Sequence, residues 1–198
     1  FHGVDSGWKI LNPYADDFDR FEFFVNKFYS DKNKRNIIFA LNPGRFGCGK
    51  TGITMTDEHI LKSKLGYPGK IKNPNKEKTA SRIYSIAEET FNGDLNLFFS
   101  RFFLSNIFPF GVVNEKGNNV IFEDLIKVNS IKEFSLDFVE KTLKLLKPES
   151  VFCVGLGSHK FILKNFPYHD PVYLHHPART FPEEKKEIYR KHLSEFIL

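Results

Sequence analysis

The chain has 198 residues, 41% of them hydrophobic and 23 of them phenylalanine, and carries a net charge of +5. That size and apolar content suit one domain, residues 1–198, with a sizeable core, and speak against a second domain. The mild basic excess is compatible with a nucleic-acid partner without requiring one, and no run approaches the roughly 18 apolar residues of a membrane span.

Taken in chain order, the pattern predicts a helix near 16–30 and then a buried strand at "NIIFAL" (36–41), apolar throughout after its first residue. A glycine-rich stretch, "NPGRFGCGKTG", follows, and the next helix is expected after Thr56, read as the N-cap of "DEHILKSK". Residues 62–78, "KSKLGYPGKIKNPNKEK", read as a Gly/Pro-broken loop rich in lysine. Helical spacing returns at 79–91, with Ile83, Ile86 and Ala87 on one face. A second strand is expected at "FFLSNI" (102–107), then a helix over 135–147 carrying Phe138, Leu143 and Leu146 on its apolar side. The remaining elements are a strand at 150–155, a helix over 158–166 with Ser158 as its N-cap, a strand at 171–175 and a charged helix over 183–197.

Short strands that are apolar on both faces belong to parallel sheets. Their alternation with helices predicts an α/β layered fold with a small, mainly parallel four-stranded sheet and right-handed crossovers. Three of the four strands run out into unusual stretches: "NPGRFGCGKTG", "SNIFPFG" and "HHPAR". In open α/β sheets ligands bind beyond the carboxyl ends of the strands, so these three stretches are expected to meet at one site.

The two cysteines, Cys48 and Cys153, offer neither metal-ligand spacing nor a disulfide framework, so a reducing cytoplasm is the expected location. No signal-peptide pattern opens the chain, and because it begins at Phe1 some N-terminal sequence is expected to be missing.

Gly44 to Thr51 spells G-x-x-x-x-G-K-T, the pattern of a phosphate-cradling loop. Such a loop feeds directly into a helix whose free N–H groups hold the anion. Here Gly52, Ile53 and Thr54 follow, and the helix is expected to start too late. A nucleotide hydrolase also needs an acid at another strand end to help hold Mg²⁺. The other strands end in Asn106, Gly155 and His175-His176. "VGLGS" (154–158) lacks the glycine spacing and the following acid of a dinucleotide fingerprint, and reads as a tight strand-to-helix turn.

Read from Asn42 instead, the same stretch offers an amide at a strand end, a rigid Pro-Gly turn exposing backbone N–H groups, and Phe46 beside them, which suits a flat polar ring. Asn106 can present a donor and an acceptor to one edge of a base, and His176 can donate to an oxygen that becomes negative. Together these residues resemble the site of the uracil-DNA glycosylase superfamily, and within it the single-strand-selective monofunctional branch and the related bacterial group. "LNPGRFGCGKTGI" is similar to that branch's first motif, "SNIFPFG" to its central N-x-x-P segment and "HHPAR" to its H-P motif, while "FCVGLGSHKFI" and "SRIYSI" match segments of the bacterial group.

The resemblance implies a three-layer α/β/α fold and a monofunctional enzyme that hydrolyses the bond between deoxyribose and uracil or another deaminated base, without a metal or organic cofactor. Asn42 would position the attacking water, and His176 would stabilise the departing base. Asn106 would read the base edge, Gly44 would let the backbone approach, and Phe46 would wall the pocket. Where the family continues T-G-x-P-F this chain has "TGITMT", so Thr54 replaces the proline, and Met55, the only methionine, stands where an aromatic ring would stack on the base.

DNA, single-stranded or duplex with a damaged base, is the expected partner, bound by a monomer. Lys62, Lys64, Lys70 and Lys72 are candidates for a phosphate track, against the plainer reading of a solvated loop. Arg179 and Phe181 are candidates to enter the gap left by the extruded nucleotide. His159, His169 and His175 are read as structural. Two alternatives remain: a single-strand nucleic-acid-binding relative without turnover, and a P-loop NTPase.

Overall fold

A computed structural model describes residues 1–73 and 75–197. The chain opens with a short strand, β1 (Lys9–Leu11), one helical turn, α1 (Pro13–Asp16), and α2 (Phe18–Phe28), which buries Phe24 and Phe28. β2 (Asn36–Ala40) is buried along its whole length. The turn α3 (Cys48–Thr51) and α4 (Glu58–Ser63) follow, then α5 (Lys78–Thr90) and α6 (Leu95–Arg101), which feeds straight into β3 (Phe102–Asn106). Next come β4 (Gly111–Val113), α7 (Phe122–Leu125) and the long α8 (Asn129–Leu146). The chain closes with β5 (Val151–Val154), α9 (Leu156–Asn165), β6 (Val172–Leu174) and α10 (Glu183–Ser194).

The main sheet runs β3-β2-β5-β6 with every neighbouring pair parallel. Alternation along β2 sends Ile38 and Ala40 into one core, with residues of α2, α4, α5, α6 and α10, and Ile37 and Phe39 into another, with residues of α7, α8 and α9. Helices cover both faces, which is the expected three-layer α/β/α arrangement. β1 and β4 pair antiparallel in a separate ribbon; at three residues each they are too short to show any period in the sequence.

Four expectations fail locally. α4 is capped by Asp57, whose side chain accepts from Ile60 N–H at 2.8 Å, while Thr56 lies buried with its hydroxyl 2.8 Å from that of Tyr84. Ser158 lies inside α9, and its hydroxyl donates back to the Val154 and Gly155 carbonyls at 2.7 and 2.9 Å. Gly155 occupies the cap position instead. α8 starts at Asn129, before the expected 135, because Ser135 is absorbed into the helix by a 2.7 Å bond to the Ile131 carbonyl. The first helix divides at Asp17 into α1 and α2.

The loops near the first motif are held by a buried ion pair. Arg20 and Glu58, each 4% exposed, meet at 2.5 Å. Arg20 also reaches Asp17 at 3.3 Å and donates to the Lys50 carbonyl at 3.1 Å. Glu58 accepts the backbone N–H groups of Lys72, at 2.7 Å, and of Asn73. One pair thus links α2, α3, α4 and the lysine-rich loop. Arg20→Met leaves a buried carboxylate without its cation and is expected to cost about 3–5 kcal/mol of stability, read as a lower urea midpoint at unchanged m; an unchanged midpoint would show that the pair holds nothing.

Candidate active site

Parallel strands deliver their following loops to one edge. β2 and β3 are in register at Ala40 and Asn106. The ladder continues past them, with Ile107 N–H donating to the Ala40 carbonyl at 2.8 Å and Phe108 N–H to that of Leu41 at 3.0 Å. Asn42 and Asn106 therefore leave neighbouring strands side by side. Across the sheet, Gly155 N–H donates to the Leu174 carbonyl at 2.7 Å, which brings the end of β5 beside the start of the H-P stretch.

Asn42 is half-buried, and its amide donates over 3.4 Å to the Val120 carbonyl. Asn106 is 4% exposed. Its Nδ2 donates to Thr54 Oγ1 at 3.1 Å and to Cys48 Sγ at 3.2 Å. Burial pushes the Cys48 thiol up to about 12, so it stays neutral and serves as an acceptor. Thr54 thus supplies a hydroxyl that orients Asn106.

Gly44 and Phe46 lie in the loop between β2 and α3. Phe46 is 37% exposed with the Arg45 guanidinium 4.6 Å from its ring centroid. Met55 is 5% exposed and packs in the core shared with α2, α4 and α5, its backbone left-handed at φ 54°. In this arrangement little of its thioether is free to cover a base.

His176 is exposed at the end of the last strand stretch. Its Nδ1 accepts from Ala178 N–H at 3.2 Å, so the neutral ring carries its proton on Nε2. Crowding that removes water, aided by the charge of Arg179, lowers its pKa below the ordinary histidine value. The ring lies against Gly155, where a φ of 90° would strain any larger residue and a Cβ would stand 3.3 Å from His176 Cδ2, crowding the imidazole.

The H-P segment is clamped from α5. Arg82 donates to the carbonyls of Pro177 and, at 2.7 Å, Arg179. Tyr189 donates to the His175 carbonyl at 2.6 Å. Phe181 contradicts its expected role: it is 8% exposed, with its ring 5.6 Å from that of Tyr189 and under Arg82, so it anchors the segment and does not project from it. Its apolar character could not distinguish anchor from wedge. Arg179 remains exposed.

The lysine candidates are partly engaged. Lys64 pairs with Glu88, Lys72 with Asp17 at 2.6 Å, and Lys62 donates to the Gly69 carbonyl at 3.2 Å. Lys70 is exposed. Neither Arg82 nor the Cys48 and Thr54 contacts to Asn106 were foreseen; only the "SRIYSI" likeness marked the neighbourhood of Arg82.

The phosphate-loop pattern folds in an unsuitable way. A helical turn does begin inside it, at Cys48, sooner than expected, but stops at the left-handed Gly52. Thr51 is fully buried and its hydroxyl donates inward to the Thr56 carbonyl at 2.7 Å. Among the described residues, no group of three or more His, Cys, Asp and Glu side chains is placed to hold a metal ion, and no helix is long and apolar enough to cross a membrane.

Parallel sheet, flanking helices and this set of strand-end residues together define an enzyme fold of the uracil-DNA glycosylase type. No protein-family model and no curated sequence matches the chain. Among solved structures it is similar to SMUG2 of Pedobacter heparinus, with a TM-score of 0.80 and 27% identity over 97% of this chain and 88% of that one. Its fold is that of the uracil-DNA glycosylase superfamily, and within it the chain is similar to the SMUG-like bacterial group.

The environment of His176 gives a direct expectation. Followed by NMR, its imidazole should titrate below 6.5, and Arg179→Ala should raise that value by removing a nearby positive charge. Titration above 6.5 in the wild type would contradict the neutral-donor assignment.

Proposed function

We propose that the protein is a monofunctional DNA glycosylase that hydrolyses the N-glycosidic bond of uracil, or of another deaminated base, acting on DNA as a monomer. The observation that carries this reading is His176: a neutral imidazole with Nδ1 engaged, leaving Nε2–H free as a donor, at the same sheet edge as Asn42 and Asn106.

The target nucleotide leaves the stack, which costs least in a single strand because no pair is broken. As the bond to the base lengthens, positive charge grows on the sugar and negative charge on the base. His176 Nε2–H donates to a base oxygen as that charge develops. Asn42 orients the water that adds to the anomeric carbon; an amide is too weak a base to activate it strongly, so leaving-group stabilisation has the larger share. The bond between sugar carbon and base nitrogen breaks, its electron pair leaves with the base, and the water's proton passes to solvent or to the base. Asn106, whose Nδ2 donates to Thr54 and Cys48, keeps its Oδ1 as the acceptor that reads an N–H on the base edge, in place of the donor and acceptor expected of it. Arg179 and Lys70 are available to the DNA backbone.

The test is a labelled single-stranded oligonucleotide with one uracil, incubated without added metal and then treated with alkali to cut at abasic sites. Wild-type protein should give scission at the uracil, and His176→Ala and Asn42→Ala should each lower the rate by about 10²–10³-fold. No scission in single or double strands would refute the reading. The burial of Met55 favours one other reading, a nucleic-acid-binding relative without turnover, which binding without base release would support.

A further inference from the structure

Glu77 has no part in the mechanism above, yet it sits against the first-motif loop. It caps α5, and its own N–H donates to Asp57 Oδ2 at 2.7 Å, which aims the residue back toward that loop. Its carboxylate lies against the backbone N–H groups of Gly47 and Phe46, which favour its charged form. A Cβ on Gly44 would stand 2.5 Å from Glu77 Oε1, and one on Gly47 would overlap Oε2. The two bare glycines are therefore filled by this side chain. Its charge is felt at the Cys48 thiol, whose sulfur in turn accepts from the base-reading Asn106. Burial and the neighbouring Asp57 raise its pKa, so the carboxylate is held in a site that costs energy to keep charged. A surface anchor would incur no such cost.

We propose that Glu77 is a specificity-determining residue of the base site, a carboxylate that fills the space beside Gly44 and Gly47 and decides which base edge the loop admits. The inference rests on the base-binding part of the glycosylase reading. A base approaching the loop meets a negative acceptor and not bare backbone. Edges that offer a ring N–H or an amino group are favoured, because a carboxylate can only accept. Edges that offer a carbonyl or a methyl group are opposed, by like polarity and by volume.

The experiment compares wild type, Glu77→Gln and Glu77→Ala on oligonucleotides carrying uracil, thymine, 5-hydroxymethyluracil or hypoxanthine. Base release is measured, and so is binding to the same sequences made uncleavable by 2′-fluorination. Glu77→Gln keeps the volume and an acceptor for the loop; Glu77→Ala removes both volume and charge. The proposal expects the ratio of the bulkier bases to uracil to rise by about ten-fold or more in Glu77→Ala, with Glu77→Gln moving chiefly the bases that differ in donors and acceptors. It is overturned if all bases change by one common factor in both variants, the signature of a loop anchor. If wild type releases uracil and the ratios stay fixed, this inference fails and the glycosylase reading stands. If no base is released but the binding ratios shift, the glycosylase reading fails and Glu77 keeps its role in base selection. Absence of both release and any base preference in binding overturns both.

Discussion

The hydrogen-bond ladder between β2 and β3 continues beyond the last paired residues, where Ile107 and Phe108 N–H groups reach the Ala40 and Leu41 carbonyls. Everything assigned to the site depends on that continuation. It carries the order of the sheet into the loops, so Asn42 and Asn106, far apart in sequence, leave the sheet at fixed spacing. A parallel sheet makes this possible because all its strands point the same way, and the bond from Gly155 to Leu174 extends the same order to the strand that presents His176.

Around this edge the chain spends its buried charge on holding loops. Asp57 caps α4 and receives Glu77 N–H, Glu58 receives the backbone of Lys72 and Asn73, and Arg20 ties Glu58 to the Lys50 carbonyl. Backbone N–H groups on a turning loop would otherwise be left without partners. Here the adjacent acids Asp57 and Glu58 take them and fold the lysine-rich segment back over the first motif. The polar side of the opposite wall is different in kind: His176 is kept neutral by its surroundings, and its clamp is the Arg82 guanidinium on main-chain carbonyls. Loops tied down by such bonds suit a reaction in which donors must already be aimed when charge appears.

The four main strands were legible because burial on both faces leaves a strong apolar run, and the common sheet edge of the three motif stretches was legible because polar and glycine residues stood at the strands' carboxyl ends. What was not legible turned on choices that sequence leaves nearly degenerate. Thr56 and Asp57 both make good caps, and the buried bond from Thr56 to Tyr84 settles which one is used. Ser158 and Ser135 have cap chemistry, yet each, from inside its helix, bonds back to a carbonyl four residues earlier. Phe181 follows Arg179 so closely that both looked like surface contacts, but the tertiary contact with Tyr189 draws only the ring inward. Met55 shows the same competition: the position suggested a base platform, while the core took the side chain. Glu77 gave no signal at all, since a single acid among lysines reads as a solvated charge.

The central claim is that Asn42, Asn106 and His176 receive one base at the sheet edge. Its most direct test is a crystal structure with a single-stranded oligonucleotide containing one uncleavable 2′-fluorinated uracil nucleotide. The account predicts the uracil extruded into this edge, Asn106 on its polar side and His176 Nε2 about 2.7–3.1 Å from a base oxygen. A complex in which the DNA lies only along the lysine-rich loop, with the uracil outside and His176 turned from it, would contradict the account.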